Sequence, residues 1–405
     1  MRIAIITYEY PPDTGKAGIA TYSRQIAEVL AIAGCDVHVF AGSHTRQEDS
    51  IESTINVHRV KCSSPQNFNT NVVEVFKNEQ MCMAFDIMEC PEIHGNAREI
   101  KKMYPQIPLV VRLHAPNWLV ENLKKKYIPF FAKLRFVIGA IKRGKLDAGY
   151  WRTYDILNDT DRQFTLLADA VSAPSQTMKN WAVATWNLPD SGVKVIPNPF
   201  VPTLGFLQIP IYTEAINKEI LFFGRLNVLK GMVNATIAMK TILKIYPEYS
   251  FKVIGDDGPG PKHGQNMKQW MTEQLKDVVE RVHFLDGLAY DALPAAIADS
   301  EIILLPSLFE SFSYTCAEAM AAGKAVVGCQ ATGMAEMIEH NYSGILVDAA
   351  KPTEICKALK RLIEDNDLRY KIAVNARESI TTKYSGEKIA ALYLSYFKML
   401  SGLHE

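Results

Sequence analysis

The sequence predicts an α/β protein of two domains, each with a doubly wound parallel sheet, and three observations support this. The chain has 405 residues, more than one hydrophobic core usually holds. Short apolar runs alternate with amphipathic helical runs in two series, as expected of parallel strands joined by crossover helices. The alternation stops at the turn NPFVP (198–202), whose two prolines break regular structure. The two domains are therefore predicted to meet near residue 200.

The first series gives the first domain. Its strands and helices are RIAIITY (2–8), TYSRQIAEVLAIAG (21–34), DVHVFAG (36–42), FDIMEC (85–90), EIHGNAREIKKMY (92–104), PLVVRLHA (108–115), ADAVSAPS (168–175), QTMKNWAVATW (176–186) and VKVIPN (193–198). Four- to eight-residue apolar runs indicate strands, whereas the longer segments with apolar residues three or four apart indicate helices. We predict that this domain covers residues 1–200 and faces the acceptor.

The second series gives a second domain at 201–384. Its strands are EILFFGRL (219–226), FKVIGDDG (251–258), VHFLDG (282–287), EIILLPS (301–307), KAVVGCQ (324–330) and GILVD (344–348). The amphipathic segment SGEKIAALYLSYFKMLSG (385–402) follows a complete domain. We therefore predict that the helix at 385–405 packs back onto the first domain.

Composition narrows the class of partner. Lys plus Arg equal Asp plus Glu at 44 each, so the whole-chain charge favours neither nucleic acid nor another polyanion. The seven cysteines form no CxxC pair, which is typical of free thiols in a reducing compartment. The first residues lack the apolar core of a signal peptide, and no window reaches the length of a membrane-spanning helix. We expect a cytoplasmic protein.

Ligands of such sheets bind beyond the carboxyl ends of the strands. In the first half, Gly15 and Gly18 lie between the first strand and a helix. Such a loop can bring backbone amides close to a phosphate, although it matches neither standard phosphate-loop pattern and a plain turn is the alternative. His114 ends the strand at 108–115, where it is either a site residue or a structural histidine.

In the second half, a glycine again ends each of two strands. Gly224 is followed by Arg225 and Lys230, whose guanidinium and ammonium groups could share the two phosphates of a nucleotide diphosphate. The alternative is two solvated cations near the start of a helix. Gly255 ends the next strand, and the two aspartates that follow it have the composition of a turn.

Two carboxylates stand eight positions apart in LFESFSYTCAEAM (308–320). If a helix begins at Tyr314 or Thr315, Glu310 lies in the preceding loop and Glu318 in the first turns, and eight residues at helical rise span about 12 Å. That distance is too long for two carboxylates acting on one glycosidic bond. We expect the pair to hold the two ends of an extended ligand, such as the ribose and the hexose of a nucleotide sugar.

With FFGRLNVLKG, VIGDDGP, LLPSLFESFSYTCAEAMAAGKAVV and ATGMAEMI in this order, the chain resembles retaining glycosyltransferases of family 4. The resemblance covers the second half and, more loosely, the first. It implies the GT-B fold, in which two Rossmann-like domains face each other across a cleft. Its most specific element is the pair Glu310 and Glu318, with seven residues between them.

The resemblance also implies roles for individual residues. Glu318 would bind the ribose and Glu310 the transferred sugar, while Arg225 and Lys230 would bind the diphosphate. Further positions implied in binding are Gly15, Gly18, Gly255, Phe312, Ser313 and His114, the last near the transferred sugar. Serines replace two glycines that are common in the family at 311 and 313, and Pro199 replaces a glycine at the interdomain turn.

The implied reaction is hexosyl transfer from a nucleotide diphosphate sugar, preferably UDP-linked, to an acceptor hydroxyl with retained configuration. No cofactor or metal is implied, since Arg225 and Lys230 stabilise the departing diphosphate. Two Asp-x-Asp sequences, at 159–161 and 365–367, lie next to helical runs and away from strand ends, which disfavours a metal site. A nucleotide-sugar 2-epimerase and a non-catalytic nucleotide-sugar sensor are the alternatives.

One segment points to the acceptor, which we expect to be a glycan or a lipid-linked or polysaccharide precursor. Residues 122–146 contain no acidic residue but eight cations, namely Lys124, Lys125, Lys126, Lys133, Arg135, Lys142, Arg143 and Lys145. Apolar residues are interleaved with them, as in a basic amphipathic helix on an anionic membrane surface. The prediction is peripheral contact with the inner face of the membrane, and the alternative is a helix pair that covers the first domain.

Overall fold

The computed structural model describes residues 1–15, 18–126, 130–144, 154–212, 217–262 and 264–402. These residues form two compact units. Unit 1 comprises Met1–Asn117, Asp155–Val201 and Lys383–Glu405, and unit 2 comprises Trp118–Tyr154 and Pro202–Thr382. The described part of 118–154 thus groups with unit 2, whereas the predicted first domain ran through 1–200 without interruption.

The strands are, in chain order, β1 (Arg2–Thr7), β2 (Asp36–Ser43), β3 (Glu48–Glu52), β4 (Ile55–Lys61), β5 (Ile87–Pro91), β6 (Leu109–Arg112), β7 (Ala170–Ala173), β8 (Val193–Val195), β9 (Glu219–Phe223), β10 (Ser250–Ile254), β11 (Val282–Leu285), β12 (Ile302–Leu305), β13 (Ala325–Cys329) and β14 (Ile345–Val347). Most of them are apolar runs with few exposed positions, as expected of strands that are covered by helices on both faces.

The helices are, in chain order, α1 (Gly18–Ile32), α2 (Pro65–Cys82), α3 (Arg98–Met103), α4 (Asn117–Lys126), α5 (Phe130–Lys142), α6 (Thr160–Thr165), α7 (Gln176–Trp186), α8 (Leu204–Leu207), α9 (Met232–Ile245), α10 (Met267–Gln274), α11 (Leu293–Ala298), α12 (Tyr314–Ala321), α13 (Met334–Met337), α14 (Pro352–Glu364), α15 (Asn366–Lys383) and α16 (Gly386–Ser401). Side-chain caps define several starts, for example Ser175 before α7 and Ser313 before α12.

Each unit has one sheet, and both sheets are doubly wound. In unit 1 the strand order is β3-β4-β2-β1-β5-β6-β7-β8, and in unit 2 it is β11-β10-β9-β12-β13-β14. All the pairings are parallel except that of β3 with β4. The chain reverses its direction of winding between β1 and β5 and again between β9 and β12, so the carboxyl ends of these strands are where ligands are expected.

The predicted fold class is confirmed, with local differences. The segment at 44–84 contains β3, β4 and α2, which the two apolar series did not include. The helix predicted over 92–104 is wrong in its first half, because His94 and Gly95 have φ values of 67° and 60°, which no α-helix contains. The regular helix α3 therefore begins only at Arg98.

The C-terminal helix α16 belongs to unit 1, as predicted. It packs against α1, and the hydroxyl groups of Tyr22 and Tyr393 lie 2.7 Å apart in a hydrogen bond between the two helices. Tyr393 and Phe397 are fully buried. Burial of two aromatic side chains contributes several kcal/mol, which is enough to hold this returning helix on unit 1.

Candidate active site

In unit 2 the loops that follow β9 and β10 are in direct contact. Gly224 has a φ of 139° and donates its N–H to the carbonyl of Ile254 at 2.9 Å. Gly255 has a φ of 149°, and a Cβ atom there would lie 1.9 Å from the carbonyl oxygen of Gly224. Both positions therefore require glycine, and the contact fixes the backbone that carries Arg225, whose side chain is exposed.

The loop after β9 also contacts the loop after β12. The N–H of Leu308 donates to the carbonyl of Leu229 at 2.8 Å. A Cβ atom on Gly231, which has a φ of 73°, would lie 1.7 Å from the carbonyl oxygen of Pro306. Gly231 is also the N-cap of α9 and provides no side-chain cap. The first N–H groups of this fourteen-residue helix therefore lie directly beside Lys230, an arrangement that suits a phosphate group.

Lys230 and Glu310 form an ion pair between these two loops. The Nζ atom of Lys230 donates to Oε1 of Glu310 at 2.5 Å, with side-chain exposures of 28% and 12%. The backbone N–H of Lys230 donates to the side chain of Asn227 at 2.9 Å. Two residues that we predicted for the diphosphate and for the transferred sugar are thus brought into contact.

The backbone of Gly333 contacts the start of the segment between Glu310 and Glu318. Its N–H donates to the carbonyl of Glu310 at 2.7 Å, and a Cβ atom there would lie 2.2 Å from the carbonyl oxygen of Ser311. The side chain of Phe312 is buried, and that of Ser313 accepts from the N–H of Cys316 as the N-cap of α12. The side chains of these two predicted binding residues thus serve the fold, which leaves only their backbone for a ligand.

Glu318 is the fifth residue of α12, which begins at Tyr314 as expected. Its side chain is 6% exposed. Among the described residues its carboxyl group has no hydrogen-bond or ion-pair partner. Burial raises the pKa of Glu318 from 4.5 to about 8, because an uncompensated charge is costly away from water. A ligand that donates two hydroxyl hydrogens would supply the missing partners.

The glycine loop of unit 1 is described at its two ends, since Lys16 and Ala17 lie outside the described residues. Gly15 has a φ of 73°, and a Cβ atom there would lie 2.8 Å from Cβ of Glu9. No atom comes within 4 Å of a Cβ built on Gly18, the first residue of α1. The geometry therefore requires glycine at position 15 and not at position 18.

His114 follows β6 and is 6% exposed. Its backbone N–H donates to Oε1 of Glu92 at 2.9 Å. Its Nδ1 atom lies 3.0 Å from the carbonyl oxygen of Arg112 and 3.3 Å from Oε2 of Glu92. Its Nε2 atom is buried and has no hydrogen-bond partner among the described residues. The ring is thus fixed on one side and unsatisfied on the other.

Beside His114 lies a group of buried polar side chains that the sequence did not reveal. The hydroxyl of Tyr22 donates to Glu89, and the Tyr22 ring lies 5.1 Å from that of His114. The guanidinium of Arg112 lies 5.0 Å from the centre of the Tyr22 ring. Burial raises the pKa of Glu89. Glu89 lies within β5 and Glu92 directly follows it, so the strand-end rule applied to charged residues would have identified Glu92.

One group of side chains in the described part of the chain has the spacing of a metal site, namely His38, His58 and Glu79. The ring nitrogen atoms of the two histidines already have hydrogen-bond partners. His38 Nδ1 and His58 Nε2 are 2.9 Å apart, and the guanidinium of Arg2 lies 3.1 Å from His38 Nε2. A metal ion would have to displace this cation. The group lies near the amino ends of β1 and β2, away from the ligand-binding edge.

The Asp-x-Asp sequence at 159–161 serves the local fold. Asp159 caps α6 and accepts from the indole N–H of Trp186 at 2.8 Å. Asp161 accepts from the backbone N–H of Asn117 at 2.9 Å. Burial raises the pKa of Asp161 to about 6. Both carboxylates therefore have protein partners.

Comparison with known families identifies the chain. Residues 17–203 match the family described as Glycosyltransferase Family 4, and residues 213–379 match Glycosyl transferases group 1. The first match contains β2 to β8, and the second contains all of β9 to β14. The chain belongs to the family 4 (group 1) glycosyltransferases, and the resemblance that the motifs indicated is confirmed.

Relatives and solved structures agree with this assignment. An uncharacterized glycosyltransferase of Methanocaldococcus jannaschii is 26% identical over 98% of both chains. Sucrose-phosphate synthase of Thermosynechococcus elongatus has the same fold, with a TM-score of 0.75 at 18% identity over 100% of both chains. HepE of Anabaena, solved in complex with UDP, gives a TM-score of 0.68 at 19% identity over 99% of this chain and 100% of its own. The GT-B fold is thereby established.

Proposed function

We propose that the protein transfers a hexosyl unit from a nucleotide diphosphate sugar to an acceptor hydroxyl with retention of configuration and without a metal ion. The observation that carries this proposal is the arrangement in unit 2. The Lys230–Glu310 pair, the exposed Arg225 and the unpartnered buried carboxyl of Glu318 lie in the loops and the helix that follow β9 and β12. UDP is the preferred nucleotide, since the related HepE of Anabaena was solved with UDP and UDP-glucose.

Each group suits one part of such a donor. The two ribose hydroxyls would donate to Glu318, which has no partner among the described residues. The diphosphate would take Arg225, Lys230 and the N-terminus of α9, all of which favour negative charge. The transferred sugar would donate its hydroxyls to Glu310. The donor would therefore break the Lys230–Glu310 ion pair and replace both of its halves.

The chemistry follows from this charge distribution. The bond from the anomeric carbon to the diphosphate oxygen breaks, and a bond from the acceptor oxygen forms on the same face of the sugar. The acceptor proton moves to the departing phosphate oxygen, so no protein base is consumed. Negative charge grows on the diphosphate, and fixed cations aimed at that charge are the largest catalytic term available. We propose that Arg225 and Lys230 supply it.

The division of roles between the glutamates provides the test. Glu318→Ala should weaken the binding of both UDP and the UDP-sugar, because both contain the ribose. Hydrogen bonds to a charged group of this kind contribute about 1.5 to 3 kcal/mol. Glu310→Ala should not weaken UDP binding, because the ribose does not contact Glu310 and Lys230 is then free for the diphosphate. Calorimetry measures both affinities. Equal losses of UDP affinity in the two variants would contradict the assignment.

Turnover and stereochemistry test the reaction itself. UDP-, GDP- and ADP-sugars are incubated with candidate acceptors in excess EDTA, and the anomeric configuration of the product is read by NMR. Activity should persist in EDTA and fall strongly in Arg225→Ala. Recovery by manganese after complete loss in EDTA would refute the metal-free assignment. Formation of an epimerised sugar without acceptor would identify an epimerase. Binding of the nucleotide sugar without release of UDP would identify a sensor.

For the acceptor we propose a lipid-linked glycan reached at an anionic membrane surface through α5. Five apolar side chains of this helix are exposed, namely Phe130, Phe131, Leu134, Ile138 and Ile141. Their spacing places them on one helical face, and Arg135 and Lys142, also exposed, flank that face. Residues 127–129 and 145–146 of the predicted basic segment lie outside the described residues. No helix in the described part of the chain has the length and hydrophobicity to span a membrane.

Vesicle co-sedimentation tests this part of the proposal. The wild type should bind vesicles that contain anionic lipid, and binding should weaken with salt because each surface cation adds about 1 kcal/mol of screened attraction. Phe131→Ser with Arg135→Glu and Lys142→Glu should bind less and keep its UDP affinity. Charge reversal of Lys357 and Lys360 on the exposed side of α14 is the matched control. Failure of the wild type to sediment at low salt would favour a soluble acceptor.

A further inference from the structure

The surroundings of His114 determine which ring nitrogen carries its proton. Nδ1 lies 3.0 Å from the carbonyl oxygen of Arg112, and a carbonyl oxygen can only accept a hydrogen bond. Oε2 of Glu92, at 3.3 Å from the same nitrogen, is a second acceptor. Nδ1 therefore carries a hydrogen that it shares between these two oxygens. In the neutral ring Nε2 is then an acceptor with a free lone pair.

Glu92 is well placed to impose this arrangement. Its side chain is completely buried, and its two oxygens hold two different groups of His114, Oε1 the backbone N–H and Oε2 the Nδ1 side of the ring. The backbone N–H of Glu92 in turn donates to the carbonyl of Arg112 at 3.1 Å. The Glu92 carboxylate, the His114 ring and the Arg112 carbonyl are therefore linked to one another by hydrogen bonds, at the ends of the adjacent strands β5 and β6.

The other charged groups near the ring do not replace Glu92. Glu89 is engaged by Tyr22, and Arg112 donates to the carbonyl of Ile196 and to the side chain of Asn198. Asp161 is held by Asn117. Glu92 is the carboxylate of this group that lies within hydrogen-bond distance of the imidazole.

We propose that Glu92 is a positioning residue that holds His114 with its proton on Nδ1, so that Nε2 accepts a hydrogen bond from a hydroxyl of the bound sugar. Nε2 is buried and lacks a partner among the described residues, and a buried polar atom of this kind calls for one. A hydroxyl that reaches it is shielded from water, which strengthens the bond. This inference rests on the proposed function, since it needs a sugar substrate.

The variant Glu92→Gln tests whether the carboxylate acts through its hydrogen bonds to His114 or only by filling space. Glutamine has nearly the same size, but its amide can offer only one acceptor. If its oxygen accepts from the backbone N–H of His114, its NH₂ group faces Nδ1 and opposes the proton there. The variant should therefore lose the Nδ1–H preference and lower kcat/KM about 10- to 100-fold, with UDP affinity unchanged. Glu89→Gln is the matched control, because it neutralises a neighbouring buried carboxyl that does not bond the imidazole.

The readout is the ¹⁵N NMR spectrum of histidine-labelled protein, in which His114 is assigned by its absence from His114→Gln. We expect a protonated Nδ1 and an unprotonated Nε2 in the wild type and in Glu89→Gln, and a mixed or reversed pattern in Glu92→Gln. A wild-type His114 that is neutral with its proton on Nε2 overturns the proposal, even if the variant fails to fold. So does a Glu92→Gln protein with the wild-type pattern. If the wild type transfers no sugar, the proposed function fails while the spectrum still decides the tautomer.

Discussion

Replacing Glu318 with glutamine should affect the free protein and the nucleotide-bound protein in opposite directions. In the folded protein the pKa of this carboxyl is raised from 4.5 to about 8 by burial. Between these two values the folded state binds more protons than the unfolded state. The stability associated with protonated Glu318 is therefore complete below pH 4.5 and is lost as the pH rises towards 8.

The size of this loss follows from the width of the window. Each pH unit inside it costs about 1.4 kcal/mol, so the loss is on the order of 3 kcal/mol at pH 7. Glutamine does not titrate and avoids the loss. The stability of Glu318→Gln relative to the wild type should therefore increase with pH by about 1.4 kcal/mol per unit in the middle of this window, near pH 6 to 7, and by less towards its two ends. The constant cost of burying an amide cancels from this slope.

Urea unfolding at pH 5, 6, 7 and 8 measures how the relative stability changes with pH. Titration calorimetry measures how the affinity for UDP changes with pH. The wild type should bind UDP more tightly as the pH rises to 8, because the ribose hydroxyls need an ionised acceptor, while Glu318→Gln should bind weakly at every pH. Glu339→Gln, at an exposed position of the same unit, is the control. Parallel stability profiles of the wild type and Glu318→Gln would refute the reasoning.

Two further predictions concern the fold. Gly231→Ala should destabilise the protein by about 3 kcal/mol or more in urea unfolding, since its Cβ atom would lie 1.7 Å from the carbonyl oxygen of Pro306. Gly402→Ala has a similar φ and no atom within 4 Å and should cost only about 1 kcal/mol; similar losses in both would exclude the contact as the cause. Burial and Arg2 lower the pKa of His38, so its folded state binds fewer protons than its unfolded state, and stability should fall as the pH drops below about 6.5. In thermal melts, His38→Gln should lose less stability than the wild type below about pH 6.5, whereas His283→Gln, at an exposed position, should lose as much as the wild type. An unchanged loss in His38→Gln would contradict the prediction.

The sequence was sufficient to predict the two parallel sheets, except for β3 and β4 of unit 1. Apolar runs that end in glycine, such as the one before Gly224, mark parallel strands and also mark where backbone must approach backbone. The edge strand β3, with the sequence EDSIE, was missed because it is mostly charged and exposed. Such an edge strand has no apolar run to reveal it, since only its pairing with β4 makes it a strand.

The contact between Glu92 and His114 in unit 1 could not be predicted from the sequence, for a topological reason. Glu92 and His114 are 22 residues apart and meet only because β5 and β6 are neighbours in register, with Met88 beside Leu109. No local spacing encodes this contact. Conversely, the sequence could not tell Gly15 from Gly18, because the difference between them lies in one positive φ value and in the position of Glu9.

If the donor binds as proposed, the Lys230–Glu310 pair should make the protein bind a whole donor in preference to a free nucleotide. A diphosphate alone would take Lys230 from its partner and leave Glu310, which is only 12% exposed, as an uncompensated and poorly hydrated charge. Breaking one side of a buried pair is costly for this reason. In the proposed donor complex both partners would be replaced at once, because the phosphates would pair with Lys230 and the sugar hydroxyls would donate to Glu310. After the proposed transfer the remaining nucleotide would lack the sugar, and re-formation of the ion pair would then weaken its binding. On this proposal the ion pair opposes binding of the free nucleotide more than binding of the donor, and it would thereby favour release of the product.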